Sequence, residues 1–131
     1  MRNQQGITLI GAIFVLIIVS LLGQYLVNLA GVQRQTSILA LQSSRAYQAA
    51  SAGIEWTTAK VVTQTNCPSS FPSTFANTSG FVINLSCTKL GDYDENGVSH
   101  SVFRLNSQSK YGNYGELDYV SRALEVTVHV P

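Results

Sequence analysis

The residues of this chain that could bind a metal ion lie in one acidic segment. Asp92, Asp94 and Asn96 alternate and Gly97 follows, which is how a calcium-binding loop opens. The twelfth position of such a loop is a bidentate glutamate, whereas this chain has Phe103 there. Asn-Gly between two alternating apolar segments is also a strong signal for a tight hairpin turn. The segment therefore favours a hairpin over calcium, and we predict no metal site and no cofactor.

Catalytic residues are not indicated by type and spacing. His100 and His129 lack a cysteine or carboxylate at the spacing of a zinc site. Joining either histidine to a serine and to Asp92 or Asp118 gives no order or spacing typical of a nucleophilic triad. The sequence has no glycine-rich phosphate loop, and a formal net charge of +1 gives no electrostatic basis for binding nucleic acid. We therefore expect a protein that is not an enzyme and that binds no nucleic acid.

Cys67 and Cys87 are the only cysteines, and they are candidates for a disulfide. A membrane helix before them would place them on the oxidising side, where a disulfide persists. Closing a loop of about twenty residues stabilises a fold by roughly 3 kcal/mol in the chain-entropy model, a large share for a small domain. We predict the disulfide, and two separate buried thiols are the alternative.

The element that must position all of these residues is a helix near the start. Residues 7–33 carry no charge and are mostly apolar. As a helix they would be about 40 Å long, and roughly 20 apolar residues suffice to cross a bilayer core. The segment is too long for the apolar region of a cleaved secretory signal, and Asn28-Leu29-Ala30 is a poor cleavage site. The sequence predicts that residues 7–33 are the transmembrane half of a helix. One interpretation of this segment is a plain membrane anchor that is not cleaved.

The helix is predicted to continue as an amphipathic half over residues 34–62. This segment has no proline, and small or apolar residues recur at the spacings of one helix face. The predicted face consists of Leu39, Ala46, Ala49, Gly53, Trp56 and Lys60. Its alanines and glycine would let a sheet approach closely, with Trp56 as one large anchor to the core.

Composition predicts a loop at residues 63–80, and alternating apolar residues predict an antiparallel β-sheet head at residues 81–131. Two prolines and many serines and threonines end the helix and begin the loop. The head alternates with period two, as strands with one buried face do. The expected fold class is α+β, with the long helix packed on a small antiparallel sheet of three or four strands.

Three segments of the head are predicted strands: 81–88, 98–110 and 119–130. Phe103 and Leu105 are predicted to point inward in the second of them. Glycine-rich and polar turn signals separate the strands at residues 91–97 and 111–115.

The start of the helix resembles the processing site of type IV prepilins. Gln5-Gly6-Ile7-Thr8-Leu9-Ile10 follows a short basic leader, residues 1–6, and leads directly into the spanning segment. In that family a peptidase of the inner membrane cuts after the glycine and methylates the new amino terminus. The resemblance implies cleavage after Gly6 and N-methylation of Ile7.

One position departs from the pattern of this family. Most pilins have a glutamate five residues after the cut, whereas this chain has Gly11. A carboxylate within the bilayer costs at least ~2.5 kcal/mol unless a partner satisfies it, and in major pilins the methylated amine of a neighbouring subunit is thought to do so. In the family, its absence is typical of certain minor subunits, so Gly11 argues against the role of repeating fibre subunit.

A second segment narrows the resemblance. Residues 45–56 read RAYQAASAGIEW, which is similar to a box in minor pilins of the MshP type, from the mannose-sensitive haemagglutinin (MSHA) pilus system. Related boxes occur in PilX-like minor pilins. The likeness covers residues 5 to about 60 well and, in the head, mainly residues 119–126. Glu55 is the one acid in this box; it could join a contact between subunits, pair with Arg45 or Arg122, or simply be solvated beside Trp56.

The resemblance implies the type IV pilin fold and a role in assembly rather than chemistry. The expected function is that of a minor pilin that primes or caps the pilus, with Gly11 and Glu55 as assembly residues. Its expected partners are other minor pilins, the major pilin, the prepilin peptidase and the inner membrane. The protein would cross the inner membrane once, hold its head in the periplasm, and later reside in the pilus, at its tip. Two alternatives are a minor pseudopilin of a type II secretion system and a tip adhesin that uses the aromatic segment 111–115.

Overall fold

A computed structural model describes residues 5–75, 78 and 80–131 of the chain. It contains helix α1 (Gln5–Gln64) and strands β1 (Val82–Glu95), β2 (Val98–Tyr111) and β3 (Val120–Val130). The strands form one antiparallel sheet in the order β1-β2-β3. The predicted α+β class is confirmed, and the arrangement of a long helix packed on a three-stranded sheet is consistent with a pilin-like fold. Residues 1–4 of the predicted leader, and residues 76, 77 and 79 of the predicted loop, lie outside the described residues.

Two compact units divide the chain, with their boundary between Ile38 and Leu39. In the first unit the described part is helical, and every side chain from residue 7 to residue 38 is exposed. The second unit holds the rest of α1 and the whole sheet. The sequence has no proline between residues 5 and 64, so nothing in it interrupts the ladder of helix hydrogen bonds.

Helix α1 ends at Gln64, two residues later than predicted, and its end is marked by one left-handed residue. Thr65 has a φ of 53°, and its N–H donates to the carbonyl of Val61 over 2.8 Å. A left-handed residue directly after the last turn is a common way to satisfy a helix carbonyl that would otherwise lack a donor. Pro68 and Pro72 follow in the loop and cannot continue a helix.

The part of α1 that packs on the sheet does so through small side chains. Its buried residues are Ala46, Ala49, Ala50, Gly53, Thr57 and Val61. Opposite them, Ser107 and Ser109 of β2 are buried as well. A Cβ on Gly53 would lie 2.5 Å from Ser107 Oγ, so the glycine is what permits the helix to approach the strand this closely.

The predicted role of Trp56 as an anchor in the core is wrong. The Trp56 ring is half-buried and packs against the rings of Phe71 and Phe75 in the loop, with both centroid distances at 6.4 Å. Lys60, which was predicted on the buried face, is exposed, and its Nζ lies 5.7 Å from the Trp56 ring centroid. Because β2 approaches the helix closely, the space between them is too small for an indole. Thr57 is buried there instead, and Trp56 lies on the side of the helix that the loop covers.

The core between α1 and the sheet contains two apolar clusters. One cluster joins Ala46 and Ala49 to Phe81, Ile83 and Val120. The other joins Val61 to Phe103, Leu105 and Val130. Phe103 and Leu105 are fully buried, so the prediction that they point inward is confirmed.

The hairpin between β1 and β2 is longer and tighter than predicted. Residues 91–97 were expected to form a turn, but β1 continues to Glu95, which pairs with Val98. Only Asn96 and Gly97 form the turn, with φ angles of 54° and 83°. Positive φ at both central residues is the geometry for which Asn-Gly is preferred, because it matches the twist of the flanking strands. The pairing therefore extends through the acidic segment, with one irregularity between Lys89 and Gly91.

Candidate assembly surface

The predicted processing bond, between Gly6 and Ile7, lies within α1 as described, which covers Gln5–Gln64. The charge-free segment at residues 7–33 follows the bond directly.

The first part of α1 presents apolar side chains in every direction. Its large exposed residues include Ile10, Phe14, Leu21 and Leu26. Within the described residues, α1 is the single helix long and apolar enough to cross a membrane. A continuous apolar surface of this kind is unfavourable in water and favourable in lipid, so the chain is a candidate single-pass membrane protein.

Gly11 has open space around it. A Cβ built there would meet no described heavy atom within 4 Å, and the same is true of Gly23 and Gly31. No contact among the described residues therefore requires a glycine at position 11. The sequence also has no acidic residue before Glu55, so the spanning segment offers no carboxylate to a neighbouring amine.

Glu55 is exposed and does not form the ion pair considered for it. The ion pairs of the described residues join Lys89 to Asp92 and Arg104 to Glu125. Arg122, one of the two partners considered for Glu55, instead donates from Nε and Nη2 to Ser43 Oγ, with an Nε–Oγ distance of 2.9 Å. Of the alternatives for Glu55, the pairing with Arg45 or Arg122 is thus not observed among the described residues.

The disulfide between Cys67 and Cys87 is present, as predicted. Its Cα atoms are 5.6 Å apart, and the two cysteines pack against the cluster around Val61 and Phe103. A second attachment holds the same loop to β1, because the N–H of Ile83 donates to the carbonyl of Ser73 over 2.9 Å. Together they fix the loop along β1.

The Asp92 carboxylate, in the hairpin of β1 and β2, has partners within the head. Lys89 Nζ lies 2.7 Å from an Asp92 carboxylate oxygen, and the Ser101 hydroxyl donates to the same oxygen. The hydrogen bonds from Lys89 and from Ser101 hold the pKa of Asp92 below its ordinary value. Among the described residues, no three side chains of His, Cys, Asp or Glu are grouped closely enough to hold a metal ion.

An aromatic cluster on the head was missed from the sequence. Tyr93 stacks on His100 with ring centroids 5.2 Å apart, and His129 meets Tyr93 edge-on at 5.9 Å. The Asn-Gly turn could have revealed the first contact, because a two-residue turn at 96–97 places residue 93 opposite residue 100. The contact with His129 depends on the register of β3, which no local pattern specifies.

The aromatic segment at 111–115 is divided between core and surface. Tyr111 packs on the buried Phe81, with ring centroids 5.3 Å apart. Tyr114 is 90% exposed and touches Tyr119 edge-on. Only Tyr114 of these two could contact a surface or a glycan.

Comparisons with known proteins give this arrangement no relative. No protein-family model matches the chain, and neither the curated proteins nor the solved structures include a significant match.

Proposed function

We propose that this protein is a minor type IV pilin of the MshP kind, which takes part in assembly by packing its helix against the helices of sibling subunits. The observation that carries the proposal is the uninterrupted course of α1 from Gln5 to Gln64, apolar and exposed over its first part and packed under a sheet over its last part. The prepilin-like sequence around Gly6 and the box at residues 45–56 support the same function.

The exposed half of α1 explains why such a subunit would exchange a membrane for a fibre. Apolar surface is stabilised by about 25 cal/mol for each Å² removed from water. Moving the spanning segment from lipid into water would forfeit this stabilisation, whereas moving it among sibling helices retains it. Inside the bilayer, close packing between helices depends on small residues, and Gly11, Gly23 and Gly31 leave space for such an approach.

Gly11 assigns the subunit to an end of the fibre in this proposal. A subunit without an acid here cannot form the charged contact with a neighbour's methylated amine that is thought to set the register of repeating subunits. It would instead prime or cap the pilus, in company with other minor pilins and the major pilin. The disulfide agrees with a periplasmic head, since that compartment is oxidising.

Mass spectrometry of the N-terminal peptide from the membrane fraction tests the proposal. We expect a chain that starts at Ile7 and carries one methyl group on its amine. The Gly6→Leu variant should keep its Met1 start, and the control variant Gly11→Ala should be processed normally. An intact Met1 in the wild type, or a cut at any other bond, would contradict the assignment as a pilin.

The abundance of the protein in sheared pili tests the minor role separately. A priming or capping subunit should be present at a small fraction of the fibre subunit, and its deletion should reduce the number of pili. An amount equal to that of the fibre subunit would overturn the role while leaving the assignment as a pilin intact.

A further inference from the structure

The two outer edges of the sheet differ. At the β1 edge, the loop is attached through the Cys67–Cys87 disulfide and through the hydrogen bond between Ile83 and Ser73, and the strand is irregular between Lys89 and Gly91. Irregularity and a covering segment are common ways in which proteins protect an edge strand. The β1 edge is thus covered near Ile83 and Cys87 and interrupted between Lys89 and Gly91.

The β3 edge has neither protection. Its 11 residues pair with β2 without a shift in register. Alternate residues of an antiparallel edge strand direct their N–H and C=O groups away from the sheet. Among the described residues, no backbone group from outside the sheet hydrogen-bonds to β3. Such an edge is a template for one more strand.

A groove runs beside this edge, between β3 and the flank of α1 opposite the loop. Its volume is about 460 Å³. It is lined by Ala40, Ser43, Ser44, Tyr47, Arg122, Ala123 and Leu124. Tyr47 is 54% exposed, so its ring is available to cover the side chains of an added strand, as pockets beside an edge do in recognition by strand addition.

The charge of the groove is unbalanced. Arg122 is its one charged lining residue, and its partner in the head is the neutral hydroxyl of Ser43. The guanidinium has five N–H donors and fits a carboxylate in bidentate geometry. Glu125 is close in sequence, but it pairs with Arg104. An occupant with a carboxylate opposite Arg122 would therefore complete the groove.

We infer that the β3 edge and this groove bind an extended segment of another polypeptide that carries an acidic side chain opposite Arg122. A second copy of the chain fits less well, because its β1 edge is partly covered and irregular and its β3 edge carries the same cation. The edge and the groove consist of residues in the range 39–131 alone, so this binding does not depend on whether the chain is a pilin.

A peptide-binding experiment on the full chain in detergent micelles tests this inference. The probes are ten-residue peptides of alternating Thr and Val with Asp, Asn or Lys at the centre. We expect the Asp peptide to bind about threefold more tightly than the Asn peptide, as for a single exposed ion pair, and the Lys peptide to bind most weakly. Amide hydrogen exchange should slow in β3 and remain unchanged in β1.

Matched variants separate the groove from general charge effects. Arg122→Gln should remove the preference for Asp over Asn, whereas Arg104→Gln, which alters an arginine paired with Glu125, should preserve it. Protection of β1, equal affinity for the three peptides, or no binding would overturn the inference. Self-association of the chain with β3 protected in the absence of peptide would also overturn it, because the occupant would then be a second copy.

Discussion

The two parts of helix α1 share one backbone conformation but place their glycines in opposite surroundings. A Cβ on Gly11, Gly23 or Gly31 would meet nothing described within 4 Å, whereas a Cβ on Gly53 would lie 2.5 Å from Ser107 Oγ and 2.7 Å from Leu85 Cδ2. No described residue therefore constrains the first three glycines. Gly53 is required by the strand that packs on it.

The side chains around these glycines differ in the same way. Residues 7–38 include many large apolar side chains and expose all of them, while the part of α1 on the sheet buries mostly alanine, glycine and threonine. In the first part, the exposed apolar side chains suit surroundings that other molecules provide, such as lipid or other helices. In the second part, the small side chains allow the sheet of the head to pack closely on the helix. The difference teaches that the stability of the head should respond to substitutions in residues 39–131 and be indifferent to those before residue 39.

Loss of the disulfide should produce the largest effect. Replacing both cysteines, Cys67→Ser with Cys87→Ser, should lower the free energy of unfolding of the head by about 3 kcal/mol, because a loop of this length is no longer closed in the unfolded chain. Thermal unfolding followed by the fluorescence of Trp56, the single tryptophan, measures this, since its ring packs on the loop that the disulfide holds. The far-ultraviolet helix signal from residues before 39 should persist after the head unfolds. A decrease of less than about 0.5 kcal/mol in the free energy of unfolding would contradict a stabilising role for the disulfide.

Gly53→Ala should produce the next largest effect, and Gly23→Ala is its matched control. Overpacking against Ser107 and Leu85 should destabilise the head by about 1–3 kcal/mol, despite the better helix propensity of alanine. Gly23→Ala should leave the unfolding midpoint of the head unchanged. Adding Ser107→Ala removes the nearest obstructing atom, so the double variant Gly53→Ala/Ser107→Ala should recover part of the loss. Equal effects of the two glycine substitutions would remove the distinction between the halves of α1.

Sequence patterns predicted the elements better than the contacts between them. The apolar run, the absence of proline and the Asn96-Gly97 turn are local signals, and each identified its element. The disulfide was also predictable, because Cys67 and Cys87 are the only candidates. The buried face of α1 was harder to define, because alanine and glycine occur around much of the helix there and a hydrophobic period cannot separate Trp56 from Thr57. Which of them is buried depends on how closely β2 approaches.

The candidate assembly and binding residues depend still more on distant parts of the chain. Arg122 contacts Ser43 across 79 positions of sequence, and Tyr93 contacts His129 across 36. Such contacts follow from the order of the strands and the placement of α1 over them. Alternation in β3 predicts which side chains share a face but not which helix residues lie above them.

Two buried serines on β2 offer a smaller and sharper test of the helix–sheet contact. Ser109 Oγ donates to the carbonyl of Ala46 over 2.6 Å, whereas Ser107 Oγ is buried without a hydrogen-bond partner among the described residues. Ser109→Ala should therefore lower the free energy of unfolding by about 1 kcal/mol, and Ser107→Ala should leave it unchanged or raise it. Chemical denaturation of the two variants in parallel measures the difference. A larger loss from Ser107→Ala than from Ser109→Ala would contradict the assignment of these contacts.

The smallest expected effect is the pH response of the hairpin, far from the helix contact. The hydrogen bond from Lys89, and then that from Ser101, hold the pKa of Asp92 below its ordinary value of 3.8. Because the pKa is lower in the folded protein, this contribution to stability is complete above about pH 4 and is lost as the pH falls through the folded pKa. An NMR titration of the Asp92 carboxyl should give a midpoint below 3.8. Lys89→Gln should raise that midpoint more than Ser101→Ala does, and Lys110→Gln, at the far end of the β1–β2 pairing, should leave it unchanged. A midpoint that does not change in Lys89→Gln would show that this ion pair does not lower the pKa of Asp92.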